Sequence, residues 1–102
     1  TPRPSAWIIS LGENALRENL LLAMTLRQRG VACGMDLEPR SMKAQMRAAS
    51  RVRARFAVIR GDTELEQGLY QVKNLDDGLQ EQLDLSGLML KLAGTEIAPL
   101  AK

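Results

Sequence analysis

Three short apolar runs, Ala6 to Ser10, Val31 to Met35 and Phe56 to Ile59, alternate with two longer segments of helical periodicity, and this alternation constrains the fold more than any other feature. A run of four to six residues ending in turn chemistry reads as a buried strand, and Gly12-Glu13-Asn14 follows the first run in that way. The first helix is expected from about Ala15 to Arg29, with Leu16, Leu20, Ala23 and Met24 on its buried face and Gly30 as its stop. The second is expected from Ser41, as cap, to about Val52. Strands that alternate with amphipathic helices need right-handed crossovers, hence a parallel sheet with helices packed on it.

Beyond Gly61 the pattern changes. Asp62 to Gln67 reads as a helical turn, and Leu69 to Asn74 and Leu79 to Leu85 read as two strands joined by Asp76-Asp77-Gly78. Asp-Gly between strand-like segments is a strong hairpin signal. A last helix, with Ser86 as its expected cap, carries Leu88, Met89, Leu90 and Leu92. The expected fold class is therefore α/β: a five-stranded mixed sheet, three parallel strands plus a hairpin, with three flanking helices. Residues 5–93 form the expected domain, and 1–4 and 94–102 the tails.

The 102 residues suit one domain, and 45% hydrophobic with 25% charged residues matches an ordinary globular chain with a real core. No apolar run approaches the roughly 18 residues of a membrane span, and Thr1-Pro2-Arg3-Pro4 lacks the regions of a signal peptide, so a cytoplasmic protein without a membrane partner is expected. The Pro-rich start without Met reads as the beginning of a piece of a longer chain. The single cysteine, Cys33, has no internal disulfide partner and sits among apolar residues, where a thiol packs as a small hydrophobe.

With no histidine, an imidazole base, a Ser-His-Asp arrangement or a histidine metal ligand is excluded, and one cysteine excludes thiolate zinc sites. No phosphate-cradling glycine motif follows the first strand, where Leu11-Gly12-Glu13-Asn14-Ala15 supplies one glycine. The acid pairs Asp76 with Asp77 and Glu64 with Glu66 read as solvated turn formers rather than as acids held across a pocket. No catalytic residues and no metal ligands are assigned. A stand-alone enzyme on a flavodoxin-like fold is disfavoured on these grounds.

Binding is expected at the carboxyl ends of the parallel strands, where three loops, Leu11 to Asn14, Leu37 to Ser41 and Arg60 to Thr63, should share an edge. That edge offers Glu13, Asn14, Glu38, Arg40 and Arg60, together with backbone N–H groups at the start of the second helix. On that helix Lys43, Arg47 and Arg51 recur at i, i+4 and i+8 beside an apolar stripe of Met42, Met46 and Ala49, which is expected to pack on the sheet. Spacing alone is compatible with a solvated helix face. The local imbalance favours a polyanion: Arg40, Lys43, Arg47, Arg51, Arg53, Arg55 and Arg60 occur with no acidic residue between them, in a chain of net charge +2. The rings for base stacking are few, because Trp7 and Phe56 fall in buried-strand patterns and Tyr70 is the third of three.

The segments Asp36-Leu37-Glu38-Pro39-Arg40-Ser41-Met42-Lys43-Ala44-Gln45-Met46-Arg47-Ala48-Ala49, Ala54-Arg55-Phe56-Ala57-Val58-Ile59-Arg60-Gly61-Asp62-Thr63-Glu64-Leu65, and Gly68 through Val72-Lys73-Asn74-Leu75 with the Asp77-Gly78 turn closely resemble the C-terminal domain of histidyl-tRNA synthetases. The likeness spans about Ser5 to Ala93. The equivalent domains of prolyl, threonyl and glycyl enzymes are similar in fold, and a synthetase-derived regulatory or protein-interaction domain is the other reading. The resemblance implies a module that binds the anticodon stem-loop of tRNA and is not itself catalytic. It further implies a parent ligase, homodimeric, whose own catalytic domain uses ATP and Mg²⁺, with no cofactor in this domain. It places anticodon contacts at Glu13 and Asn14 and at Arg40, Lys43, Gln45 and Arg47; Arg51 and Arg60 join these as RNA-binding candidates from the basic run. The chain departs from the family pattern at Arg53, where glycine is frequent, at Arg60, where an apolar residue is usual, at Asn74, where Asp is common, and at Leu79, which breaks the usual Gly-Glu-Gln run after the hairpin turn.

Overall fold

The computed structural model describes residues 3–93, so the expected tail from Gly94 and the first two residues lie outside the described residues. Five strands, β1 (Ala6–Leu11), β2 (Cys33–Met35), β3 (Phe56–Gly61), β4 (Tyr70–Asn74) and β5 (Gln80–Leu83), form one sheet in the order β2-β1-β3-β4-β5. β1 is parallel to β2 and β3, while β4 is antiparallel to β3 and to β5. The mixed sheet expected from the alternating pattern is the one observed. The helices are α1 (Glu13–Gln28), α2 (Met42–Arg51), α3 (Asp62–Gln67) and α4 (Leu85–Ala93), so the segment expected as a helical turn is a fourth, short helix.

Strand alternation divides the core. Ala6 and Ile8 of β1, Val58 of β3 and Val72 of β4 meet Leu22, Ala23 and Leu26 of α1 and Leu88 and Met89 of α4 on one face. Ile9, Ala57 and Ile59 point the other way and are covered with Met46 of α2, Trp7 and Leu75. Gly34 is demanded by this second layer: a Cβ there would stand 2.6 Å from Cζ3 of Trp7.

Three local expectations are corrected. The buried stripe of α1 is Ala15, Asn19, Leu22, Ala23 and Leu26, whereas Leu20 and Met24, expected inside, are exposed at 41% and 55%. The polar Asn19 lies in the middle of the true stripe, and it disguises the periodicity. The cap of α4 is Asp84, whose Oδ1 accepts from the N–H of Gly87 at 2.8 Å, rather than Ser86. On α2 the expected cap holds, because Ser41 Oγ accepts from the N–H of Ala44 at 3.1 Å. Of its apolar stripe Ala49 is fully buried and Met46 packs on the sheet, but Met42 is 41% exposed at the first turn.

α2 ends in a paired closure: Arg53 N–H donates to Ser50 O and Ala54 N–H to Ala49 O, each at 3.0 Å. Such a double bond requires a left-handed residue between the helix and its exit, and Arg53 takes that conformation at φ 61. It is the one non-glycine residue with positive φ among the described residues. The position where the related pattern has glycine is thus the position where the backbone asks for it.

Candidate nucleic-acid interface

The loop from β2 to α2 is tied to the sheet by one side chain. β2 stops at Met35, opposite Ile8, so β1 has no strand neighbour on that side at Ser10. The carboxamide of Gln45 fills the gap: its Oε1 accepts from Ser10 N–H at 2.9 Å, and its Nε2 donates to Ser10 O at 2.8 Å and to Arg40 O at 2.9 Å. The side chain therefore behaves as a peptide group added to the sheet, and its third bond fixes the backbone at Arg40. Gln45 is 2% exposed. Of the candidates read from the sequence it is the one whose polar atoms are already engaged within the protein, and its part in any binding is to hold the loop.

Arg40, so fixed, leans back over its own loop. Its guanidinium lies 3.8 Å from Asp36 and 3.6 Å from Glu38, too far for hydrogen bonds, and at half exposure such pairs contribute little. It borders two depressions. One, of about 150 Å³, runs between the β1–α1 and β2–α2 loops and brings Glu13 and Arg40 to the same opening. The other, of about 230 Å³, lies along the flank of α2 and is bordered by Arg40, Arg47 and Arg51 with Asp36 at its base. Oδ2 of Asp36 is buried there without a hydrogen-bond partner. Three guanidinium groups against one carboxylate around a single cleft make it electropositive. Lys43 is exposed on the same helix but does not border either depression.

The run of seven cations does not form one surface. β3 alternates, so Arg60 shares the side of Phe56 and Val58 and faces α1, on the opposite side of the sheet from α2. It is 8% exposed. Its Nε donates to Asn19 Oδ1 at 2.8 Å, its plane covers the Tyr70 ring at 4.6 Å from the centroid, and Asn19 Nδ2 in turn donates to Ser10 Oγ at 2.9 Å. Burial pulls the Arg60 pKa below the usual arginine value, with Tyr70 and Glu18 acting in the other direction. An arginine so shifted stays charged at neutral pH. Asn14, which bonds Arg17, borders the same cleft as Arg60, between α1 and α3.

The eight candidates therefore separate: Arg40, Arg47 and Arg51 line one cleft, Glu13 meets Arg40 at the loop opening, Asn14 joins Arg60 on the other side, Lys43 stands alone and Gln45 is internal. Arg17, Asn19 and Ser10 were not singled out by sequence reasoning. An asparagine inside an otherwise apolar helical stripe was the available signal for the second of these.

Cys33 packs as expected from its surroundings. Burial pushes its thiol pKa up, although Arg27, invisible as a neighbour in sequence, lies close enough to oppose the shift. No helix of the described residues is long and apolar enough to cross a membrane.

Comparison with known proteins agrees with this fold. Residues 5–95 match the family model described as anticodon binding domain. The chain is 37% identical over 95 residues to histidine-tRNA ligase of Symbiobacterium thermophilum, covering 93% of this chain and 22% of the relative. It is 41% identical over 78 residues to histidine-tRNA ligase of Desulfitobacterium hafniense, covering 76% of this chain and 18% of that one. The crystal structure of apo S. aureus histidyl-tRNA synthetase superposes with a TM-score of 0.83 at 32% identity, over 89% of this chain and 23% of that one. The chain spans about a fifth of the length of the curated relatives it matches. With its five-stranded mixed sheet, its loop edge and its match over nearly all its residues, this chain belongs to the anticodon binding domain family.

Proposed function

We propose that this chain is the tRNA-gripping module of a histidine-tRNA ligase, with residues 5–93 as the working unit, and that it holds the anticodon stem-loop while a catalytic domain elsewhere in the parent performs aminoacylation. The observation that carries this reading is the cleft of Arg40, Arg47 and Arg51, which starts at the β2–α2 loop and runs along the flank of α2. Guanidinium groups donate in a planar fork that fits phosphate oxygens, and three around one groove suit a sugar-phosphate strand better than a single anion. Lys43, exposed on the same helix but outside the cleft, adds positive charge to α2, Glu13 at the loop opening offers an acceptor to base edges, and Gln45 positions Arg40 from within. The similarity to histidine-tRNA ligases supplies the amino-acid identity of the parent.

ATP and Mg²⁺ belong, in this reading, to the catalytic domain of the parent, which acts as a homodimer in the cytoplasm. Among the described residues no group of three or more His, Cys, Asp and Glu side chains is placed so that it could hold a metal ion. No chemical step is assigned to this module.

The test is binding of a labelled histidine-tRNA anticodon stem-loop to the full chain across a salt series. Affinity should fall steeply with salt, and Arg47→Ala or Arg51→Ala should weaken binding and reduce the log–log salt slope by about one unit for each phosphate that the variant no longer neutralises. Affinity independent of salt, or equal in the variants, overturns the reading.

A further inference from the structure

Outside its core stripe, α1 carries a second apolar stripe. Leu16, Leu20 and Met24 recur at i, i+4 and i+8; Leu20 and Met24 are exposed and Leu16 is half-buried. Glu13 closes this stripe in the first turn of the helix and Arg27 in the last, and both are exposed. Helical periodicity keeps the five side chains within roughly a quarter of the circumference, along a flank of about 21 Å. That flank stands on the β2 side of α1, away from the Arg60 cleft: Leu16 borders the depression shared with Glu38 and Pro39, and Arg27 Nη2 donates to Cys33 O at 3.1 Å. Neither Glu13 nor Arg27 has an ion-pair partner among the described residues.

Read backwards, the stripe has the same spacing with its charges exchanged. Leu20 lies midway, Leu16 and Met24 stand four residues to either side of it, and Glu13 and Arg27 seven. Two such helices laid antiparallel about a two-fold axis at Leu20 place Leu20 against Leu20, Leu16 against Met24, and each Glu13 opposite Arg27 of the other copy. A two-fold contact has to be self-complementary, and this flank meets that condition in both shape and sign. The antiparallel arrangement also sets the positive end of one helix dipole beside the negative end of the other. A partner of another kind requires no such symmetry. We propose that this flank of α1 pairs with the same flank of a second copy of the chain, in an antiparallel helix seam with a Glu13–Arg27 ion pair at each end. The leucines and methionines supply the burial; the ion pairs, at the exposed rim, fix direction and register more than affinity. The contact rests on α1 alone and does not depend on the RNA-binding reading.

The test is sedimentation velocity of the full chain from about 10 μM to about 1 mM, where monomer should pass to dimer. One helix pair is small against the roughly 1,200–2,000 Å² of a stable complex, so a Kd of about 100 μM is expected. Leu20→Glu sets two carboxylates on the axis and should weaken association at least about tenfold. Leu21→Glu, one residue along, more exposed and off the flank, should leave association unchanged. Arg27→Glu and Glu13→Lys should each weaken self-association about fivefold, because every opposed pair then carries like charge. An equimolar mixture of those two variants restores opposite charges at both ends and should form a heterodimer about as tight as the wild-type dimer. All four substituted residues are exposed, so the core is untouched in each variant. A chain that stays monomeric at about 1 mM overturns the inference and leaves the flank to a partner of another kind. Equal effects of Leu20→Glu and Leu21→Glu, or a mixture no tighter than either charge variant alone, overturn it as well.

Discussion

Replacing Arg53 by glycine should make the protein more stable. Arg53 holds φ 61 because the closure of α2 requires it: its own N–H bonds Ser50 O, and Ala54 N–H bonds Ala49 O. An L-residue with a Cβ occupies that region at a cost of roughly 1–2 kcal/mol, which glycine does not bear, while glycine adds roughly 0.4–1 kcal/mol of unfolded-chain entropy to be overcome. The balance favours glycine by about 0.5–1 kcal/mol, or about 3–6 °C in Tm for a domain of this size. Nothing else should change, since Arg53 bonds its neighbour through its carbonyl, which accepts from Arg3 Nε at 2.8 Å and remains in the variant. The assay is thermal and urea unfolding of wild type, Arg53→Gly and Arg53→Ala. Alanine removes the side chain and keeps the strain, so it should stay close to wild type. Equal gains for alanine and glycine would refute the backbone argument and locate the cost in the guanidinium; no gain for glycine would refute the strain.

Other perturbations follow from the same geometry. Gly34→Ala should destabilise by about 1–3 kcal/mol, because its Cβ meets Trp7 and overpacking forces a shift; the single tryptophan should report the change in its emission. Gln45→Ala strips partners from Ser10 N–H, Ser10 O and Arg40 O, and should cost at least about 2 kcal/mol in urea unfolding, whereas a surface-contact role would leave stability unchanged. Cys33, its thiol pKa raised by burial, should be alkylated at neutral pH more slowly than a free cysteine, with a rate that climbs only as the pH passes above the ordinary thiol range; a midpoint below that range would contradict the packing.

The sheet was legible because buried strands announce themselves as short apolar runs, and the Asp-Gly turn marked the hairpin before β5. The inner face of α1 was harder to read. Leu20, Leu21 and Leu22 offer three consecutive leucines, only Leu22 faces the core, and Asn19 breaks the stripe to serve Arg60 and Ser10. The binding candidates were legible as types but not as a surface. Arg40, Arg47 and Arg51 do converge, yet successive side chains of β3 point to opposite faces, so Arg60 lies across the sheet from α2, and no local pattern says which side is which. Gln45 looked like another polar residue on a basic helix, and its role depends on where β2 ends, a fact of tertiary pairing. Arg53 was visible as a departure, but its reason lies in a dihedral angle.

Gln45 has a consequence for how this domain can vary. A sheet continued by a strand requires its neighbour to keep a fixed length and register, whereas a sheet continued by one carboxamide requires only that a helix deliver that group to Ser10. Residues 36–39 are thereby released from the arithmetic of strand pairing. They are free to lengthen, shorten or change side chains while Arg40 remains anchored, so the loop can be altered toward a different ligand without renegotiating the fold that carries it.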